Sequence, residues 1–313
     1  MTGDLGDPIG AGGQYKIYDA GDGRVLKVPN TLEEAHRVHE GWSSSSDSAE
    51  ALATARQGLW FRDNNVPRLL RLVARYPDLS VTLGNPIPEA DGSFTQDRVR
   101  MLSDVFENSD RSAILACFEG YADCIRACWR YGLHDYMCAF HSNNGLDGSG
   151  RVVFIDFGEV ASFTPFVRQT VHDRGWSSRF DEKPWLKGLI PEYLHSEYHR
   201  ILGERLCADV LEAAWGAGLD DLDRALLDGP FLRERKHDIP ELAARLMERS
   251  NTETNRHISG FSSAAMERLM EHPWGYPVEL ESVVMRAAET CQEGTIESDD
   301  LDISGFPASP QEA

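Results

Sequence analysis

The stretch Val152-Val153-Phe154-Ile155-Asp156-Phe157-Gly158 sets four consecutive apolar residues directly before an acid, a ring and a glycine. A short apolar run that stops at turn residues reads as a buried strand. An aspartate at the end of such a strand can present its carboxylate to a divalent metal ion. Asn143 lies 13 residues upstream in a polar loop, and that separation lets a turn and a hairpin bring both oxygen ligands to one ion.

Toward the N-terminus, Gly10-Ala11-Gly12-Gly13 lies between short strands, and Lys27 follows 14 residues after Gly13. Lys27 belongs to the apolar run Val25-Leu26-Lys27-Val28, reached from the first strand through the turn Gly21-Asp22-Gly23, so the pair reads as a β-hairpin. Glycines let backbone N–H groups close over a phosphate, and a strand lysine beneath them supplies a fixed positive charge. Thr31 to Glu40 reads as a short helix. A second helix, from about Asp47 to Phe61, follows the Ser43 to Ser46 break and carries Leu52, Ala55 and Leu59 on one face. Two further strands are expected at Leu69 to Arg75 and Leu79 to Leu83, around the turn Tyr76-Pro77-Asp78.

Beyond residue 86 the pattern is helical. Ile114, Cys117, Phe118, Tyr121, Cys124, Ile125 and Cys128 keep the three-and-four spacing of a buried helix face, and that helix ends near Gly132. After the metal-site strand, helices are expected over Pro191 to Ala217, Leu222 to Lys236, Ile239 to Arg249, Ser262 to Glu271 and Val278 to Cys291. The reading therefore divides the chain into an N-terminal lobe (1–86), a helical C-terminal lobe (87–291) and an acidic disordered tail (292–313).

Composition narrows the partners. Asp plus Glu number 51 against 31 Lys plus Arg, a formal charge of −20, and such a field repels nucleic-acid backbones. No run approaches the roughly 20 apolar residues that span a bilayer, and the first ten residues lack the basic and apolar regions of a signal peptide. A cytoplasmic protein with no nucleic-acid or membrane partner is expected. The six cysteines form neither a Cys-x-x-Cys pair nor a spread framework, so reduced thiols are expected.

Taken in order, the glycine cluster, the strand lysine, Asn143 and Asp156-Phe157-Gly158 resemble the protein-kinase-like superfamily over roughly residues 5 to 160. The sequence looks most like its atypical, poorly characterised bacterial members. The resemblance implies an α+β, two-lobed protein-kinase-like fold, with a small N-terminal antiparallel sheet lobe and a mostly helical C-terminal lobe. It also implies ATP and Mg²⁺ as cofactors. Gly10, Gly12 and Gly13 would form the phosphate loop, Lys27 would contact the α and β phosphates, and Asn143 and Asp156 would hold Mg²⁺.

The catalytic loop would begin at Gly132-Leu133-His134-Asp135. In typical protein kinases the catalytic Asp stands five residues before the metal-binding Asn; here that position is Cys138, and Asp135 lies eight before. Asp135 is the candidate base, with a helix-capping role and His141 as the alternatives. Glu50 is the candidate partner of Lys27, with Glu34 as the rival; both also fit capping boxes, Asp47-Ser48-Ala49-Glu50 and Thr31-Leu32-Glu33-Glu34. The function implied is an ATP/Mg²⁺-dependent phosphotransferase acting on an unspecified small-molecule or protein acceptor, with a nucleotide-binding pseudokinase as the alternative.

Two other patterns are read as structural. Cys124, Cys128, His134 and Cys138 are taken as core rather than as a zinc site. His195 and His199 lack the glutamate of a helical zinc motif.

Overall fold

Alternation along Arg24–Pro29 buries Val25 and Lys27 on one face of a strand, and this strand is the middle of a five-stranded antiparallel sheet. Its order is β1-β2-β3-β5-β4, with β1 at Gly10–Ala11, β2 at Tyr15–Gly21, β3 at Arg24–Pro29, β4 at Ile87–Pro88 and β5 at Phe94–Asp97. The β2–β3 turn places Gly21, Asp22 and Gly23 at positive φ (75°, 49° and 73°), the left-handed region that glycine enters without a Cβ clash. Lys27 lies opposite Ile17 on β2 and Phe94 on β5.

The computed structural model describes residues 6–42, 48–182, 188–227, 232–291 and 293–303. Asp47, where the second helix is expected to begin, lies outside the described residues. The chain divides into two units, Met1–Ala217 and Gly218–Ala313; residues on both sides of the expected lobe boundary at 86 fall in the first unit.

In the first unit, α1 (Leu32–Trp42) and α2 (Ser48–Arg75) follow the hairpin. The strands expected at Leu69 to Arg75 and Leu79 to Leu83 are helical instead. The first is the end of α2 and the second belongs to α3 (Pro77–Thr82). Val66, Leu69, Leu72 and Val73 are all buried, which is helical spacing on one face. Pro67 sits inside α2 and Pro77 opens α3, where a missing N–H costs nothing. Gly84 and Asn85, at φ 66° and 51°, reverse the chain into β4 and β5, which take the sheet positions that the sequence had assigned to the helical residues.

Next come β6 (Arg100–Met101), α4 (Leu102–Asn108) and α5 (Arg111–Trp129). The Asp110 side chain accepts from the Ala113 N–H and caps α5. Its buried face is Ile114, Cys117, Phe118, Tyr121, Cys124, Ile125 and Cys128, as the periodicity predicts. Then β7 (His134–Asp135), β8 (Asn144–Leu146), β9 (Val152–Phe154) and β10 (Val160–Ala161) follow. β8 and β9 form a hairpin, and β7 pairs with β10. This unit also contains α6 (Thr164–His172), α7 (Gly175–Glu182), α8 (His195–Arg205) and α9 (Ala208–Ala214). The single helix expected over Pro191 to Ala217 is thus broken at Leu206-Cys207.

The second unit contains α10 (Asp221–Leu227), α11 (Ile239–Thr254), β11 (His257–Phe261), α12 (Ser263–Glu271), α13 (Pro277–Thr290) and β12 (Glu293–Ile296). Of the helix expected over Leu222 to Lys236, residues 222–227 are helical within α10 and Leu232–Glu234 is a short 3-10 turn; 228–231 lie outside the described residues. β11 and β12 pair in parallel, so residues 293–303, expected within a disordered tail, are ordered. Ile296 and Leu301 are buried, and burying these two side chains stabilises a strand that the acidic composition alone disfavours. Residues 304–313 lie outside the described residues.

The whole is a mixed α and β structure with a small antiparallel sheet at the N-terminus and a helical region after it. No helix among the described residues is long and apolar enough to cross a membrane. All six cysteines are free thiols.

Candidate nucleotide and metal site

β3 carries Lys27 into the interior, where its Nζ donates a 2.6 Å hydrogen bond to the carbonyl oxygen of Ile155. The rings of Phe94 and Phe157, stacked 5.1 Å apart, flank this ammonium at 5.7 and 5.8 Å from their centroids. Burial pushes the Lys27 pKa down to about 8, against the pull of the neighbouring Asp156 carboxylate. Burial in turn raises the Asp156 carboxyl, opposed by the Lys27 charge and by the Gly158 backbone N–H. The buried ammonium and the half-buried carboxylate thus act on each other electrostatically, each opposing the other's desolvation.

Asn143 is tied to the same segment. The Ile155 N–H donates to the Asn143 carbonyl at 2.8 Å, which continues the β8–β9 ladder by one residue. The Asn143 carboxamide nitrogen donates to Glu159 Oε2 at 2.8 Å and to Asp135 Oδ1 at 3.4 Å. Asp135 is almost wholly buried. Its Oδ2 accepts from the Tyr121 hydroxyl at 3.1 Å, and its Oδ1 from the Met137 N–H at 3.1 Å. Burial pushes Asp135 up to about 7 and Glu159 up to about 8, with the nearby Asp156 adding to the second shift.

The eight-residue gap between Asp135 and Asn143 is closed by a local turn. Cys138 adopts φ 48°, and the Ala139 carbonyl accepts from the N–H groups of Ser142 and Asn143. Cys138 itself is buried, its Sγ donating to the Asp135 carbonyl at 3.6 Å. The structure thus gathers Lys27, Asp135, Asn143 and Asp156.

The remaining predicted residues stand elsewhere. Glu50 is exposed in the first turn of α2, whereas Lys27 is buried against Ile155, so the expected lysine–glutamate pair does not form. Glu34, the rival, caps α1 reciprocally with Thr31 and pairs with Lys16 at 2.7 Å. Burial pushes His141 down to about 4, a neutral ring at pH 7. Gly10 lies in β1. Gly12 donates its N–H to the Tyr15 carbonyl. Gly13 faces His39, whose Nε2 lies 2.6 Å from where a Cβ would stand, so a side chain there would displace that ring.

Three residues escaped the sequence reading. Glu159 had a signal, its position directly after Asp-Phe-Gly. Tyr121 had none beyond its place on a buried helix face. Gln14, at the end of the glycine cluster, packs against Gly158. Among the described residues no group of three or more His, Cys, Asp or Glu is arranged to hold a metal ion, and His195 and His199 are bonded to the Ile190 carbonyl and the Ser177 hydroxyl. Mg²⁺ is commonly held by one or two protein carboxylates, with phosphate oxygens and water completing the shell. Asp156 and Asn143 fit that demand.

Residues 233–312 match the AAA+ ATPase lid domain. That match lies within the second unit and is consistent with nucleotide binding, typically with Mg²⁺. The chain is 38% identical over 89 residues to the alginate biosynthesis transcriptional regulatory protein AlgB of Pseudomonas aeruginosa, an alignment covering 28% of this chain and 19% of AlgB. It is 34% identical over 84 residues to the response regulator protein PilR of the same organism, covering 26% of this chain and 19% of PilR. The chain thus spans about a fifth of each relative. A complex of Rv3197 with erythromycin from Mycobacterium tuberculosis superimposes with a TM-score of 0.36 at 13% identity, over 68% of this chain and 78% of that one, a likeness too slight to argue from.

These matches correct the functional expectation. A match to an AAA+ ATPase lid domain beside two relatives named as regulators overturns a kinase-type function, and neither the phosphotransferase nor the pseudokinase reading stands. The physical reason is that a glycine cluster, a strand lysine and a metal aspartate specify a place for phosphate and metal. They say nothing of where a phosphoryl group goes.

Proposed function

We propose that this chain is a regulatory ATPase-type protein that binds Mg²⁺-ATP through the Lys27, Asn143 and Asp156 cluster and carries an AAA+ lid-like module at residues 233–312. The observation that carries the reading is the buried convergence on Ile155: Lys27 on its carbonyl, Asn143 on its N–H, and Asp156 next in sequence. A buried ammonium beside a carboxylate, with two further acids within electrostatic reach, suits a bound cation and an anionic phosphate better than it suits a structural core. No G-x-x-x-x-G-K-[ST] run occurs in the sequence, so in this chain the phosphate contacts fall to the Lys27 site. The likeness to the protein-kinase-like superfamily is kept for the architecture of this site alone.

In this reading Asp156 and Asn143 hold Mg²⁺, and the ion neutralises phosphate charge when bound. Lys27 adds a fixed positive charge in a region of low dielectric. Asp135, held by Tyr121, Met137 and Asn143, orients a water and accepts its proton at a carboxylate oxygen. Because the two curated relatives are named as regulators, a regulatory setting is proposed. Free thiols and the acidic composition support a cytoplasmic location.

Titration calorimetry of ATP with and without Mg²⁺, on the wild type and Asp156→Ala, tests the binding. Mg²⁺-dependent heat lost in the variant supports it; no heat from the wild type refutes it. Phosphate release from ATP, measured on the wild type and Asp135→Asn, tests the hydrolysis. A turnover equal in both removes Asp135 from its role.

A further inference from the structure

The glycine-rich turn ends on a side chain that reaches the metal aspartate's neighbour. A Cβ built on Gly158 would coincide with the Gln14 carboxamide, so the absence of a side chain at 158 makes the space that the carboxamide fills. Gln14 is held there by its backbone. Its carbonyl accepts from the Asn30 N–H at 2.9 Å and from Arg62 Nη1 at 3.2 Å. Asn30 also donates its side-chain amide to the Gly12 carbonyl at 2.8 Å. The loop is thereby pinned on both sides of Gln14.

Within that space the Gln14 Oε1 is buried and accepts no hydrogen bond. A buried acceptor without a donor carries an uncompensated desolvation cost, which a donor arriving with a ligand would offset. Gly158 follows Asp156 by two residues, and its N–H already supports the Asp156 carboxylate. The orphan oxygen therefore lies against Gly158, two residues after Asp156.

We propose that Gln14 is a positioning residue of the nucleotide site, its Oε1 accepting a hydrogen bond from the water shell of the Mg²⁺ that arrives with the phosphates. This rests on the Mg²⁺-nucleotide reading above and adds a contact to it. The carboxamide couples closure of the glycine-rich turn to the metal rather than to the phosphates, and Gly158 is small so that it can do so.

The test is calorimetric titration of ATP, with and without Mg²⁺, into the wild type, Gln14→Leu and Gly158→Ala. Leucine keeps the bulk and removes the acceptor; alanine at 158 expels the carboxamide. Each variant is expected to bind Mg²⁺-ATP about tenfold more weakly, the size of one lost hydrogen bond, with metal-free ATP binding unchanged. If the wild type binds Mg²⁺-ATP and both variants bind equally well, the role of Gln14 is overturned while the nucleotide site stands. Equal weakening with and without Mg²⁺ overturns it as well, since packing alone would do that. If the wild type binds no Mg²⁺-ATP, the underlying reading falls and the inference falls with it.

Discussion

Lys27 and Asn143, 116 positions apart in the chain, are held on the two polar groups of one residue: Lys27 Nζ on the Ile155 carbonyl at 2.6 Å and the Asn143 carbonyl on the Ile155 N–H at 2.8 Å. The strand end that precedes Asp156 is therefore the joint between the N-terminal sheet and the helical part of the first unit. Disturbing either partner moves Asp156.

Lys27→Met keeps the length of the side chain and removes its charge. Asp156 then loses the cation that opposes its burial, and its carboxyl rises further. Mg²⁺-ATP affinity is expected to fall at least about tenfold, because a buried charge contact is lost, while the far-ultraviolet circular dichroism is retained. Undiminished affinity by calorimetry would show that Lys27 is a structural residue.

Asp135 makes stability depend on pH in a definite direction. Its folded pKa of about 7 exceeds the ordinary 3.8, so the folded chain holds the proton more tightly than the unfolded one. That contribution is fully present below about pH 3.8 and is lost as pH rises toward 7. At about 1.4 kcal/mol for each step in pKa it amounts to about 4 kcal/mol. Glu159, raised to about 8, acts in the same sense. Urea titrations from pH 4 to pH 8 should show Asp135→Asn gaining stability relative to wild type as pH rises. Parallel pH profiles for the two proteins would contradict the buried carboxyl.

Gly145 is fixed by packing. A Cβ there would lie 2.7 Å from Val99 Cβ and 2.9 Å from the Arg100 carbonyl, and the backbone carbonyl cannot swing aside. Gly145→Ala should separate β6 from β8 and cost about 1–3 kcal/mol, the usual penalty of overpacking. Thermal or urea unfolding gives the value, and a cost near zero would mean that the antiparallel pairing of β6 with β8 tolerates the opening.

Arg249 organises the second unit. It donates to the wholly buried Asp223 at 2.6 Å and to Asp220 at 2.8 Å. Arg249→Met takes the guanidinium from a buried carboxylate and should cost about 3–5 kcal/mol. Circular dichroism during urea denaturation is the readout. A loss below about 1 kcal/mol, the range of exposed pairs, would show that the ion pair is solvated.

The site shows which parts of a sequence carry their own meaning. Val152 to Gly158 declared a buried strand ending on an acid, and α5 declared its buried face, because in both the side-chain period is local. Leu69 to Leu83 did not. Short apolar runs satisfy strand and helix patterns alike, and it was the burial of Val66, Leu69, Leu72 and Val73 together that selected the helix. Glu293 to Ile296 read as tail because its pairing partner, His257 to Phe261, lies some 35 residues away and contributes no local signal.

By itself the sequence determined the glycine-flanked hairpin, the strand lysine, the Asp-Phe-Gly turn and the long amphipathic helix, all consequences of spacing over a few residues. Only the tertiary structure decided that Glu50 stands in solvent, that Glu159 and Tyr121 attend Asp135 and Asn143, and that Gln14 fills the space left by Gly158. Those relations depend on burial, and burial is set by contacts between residues far apart in the chain.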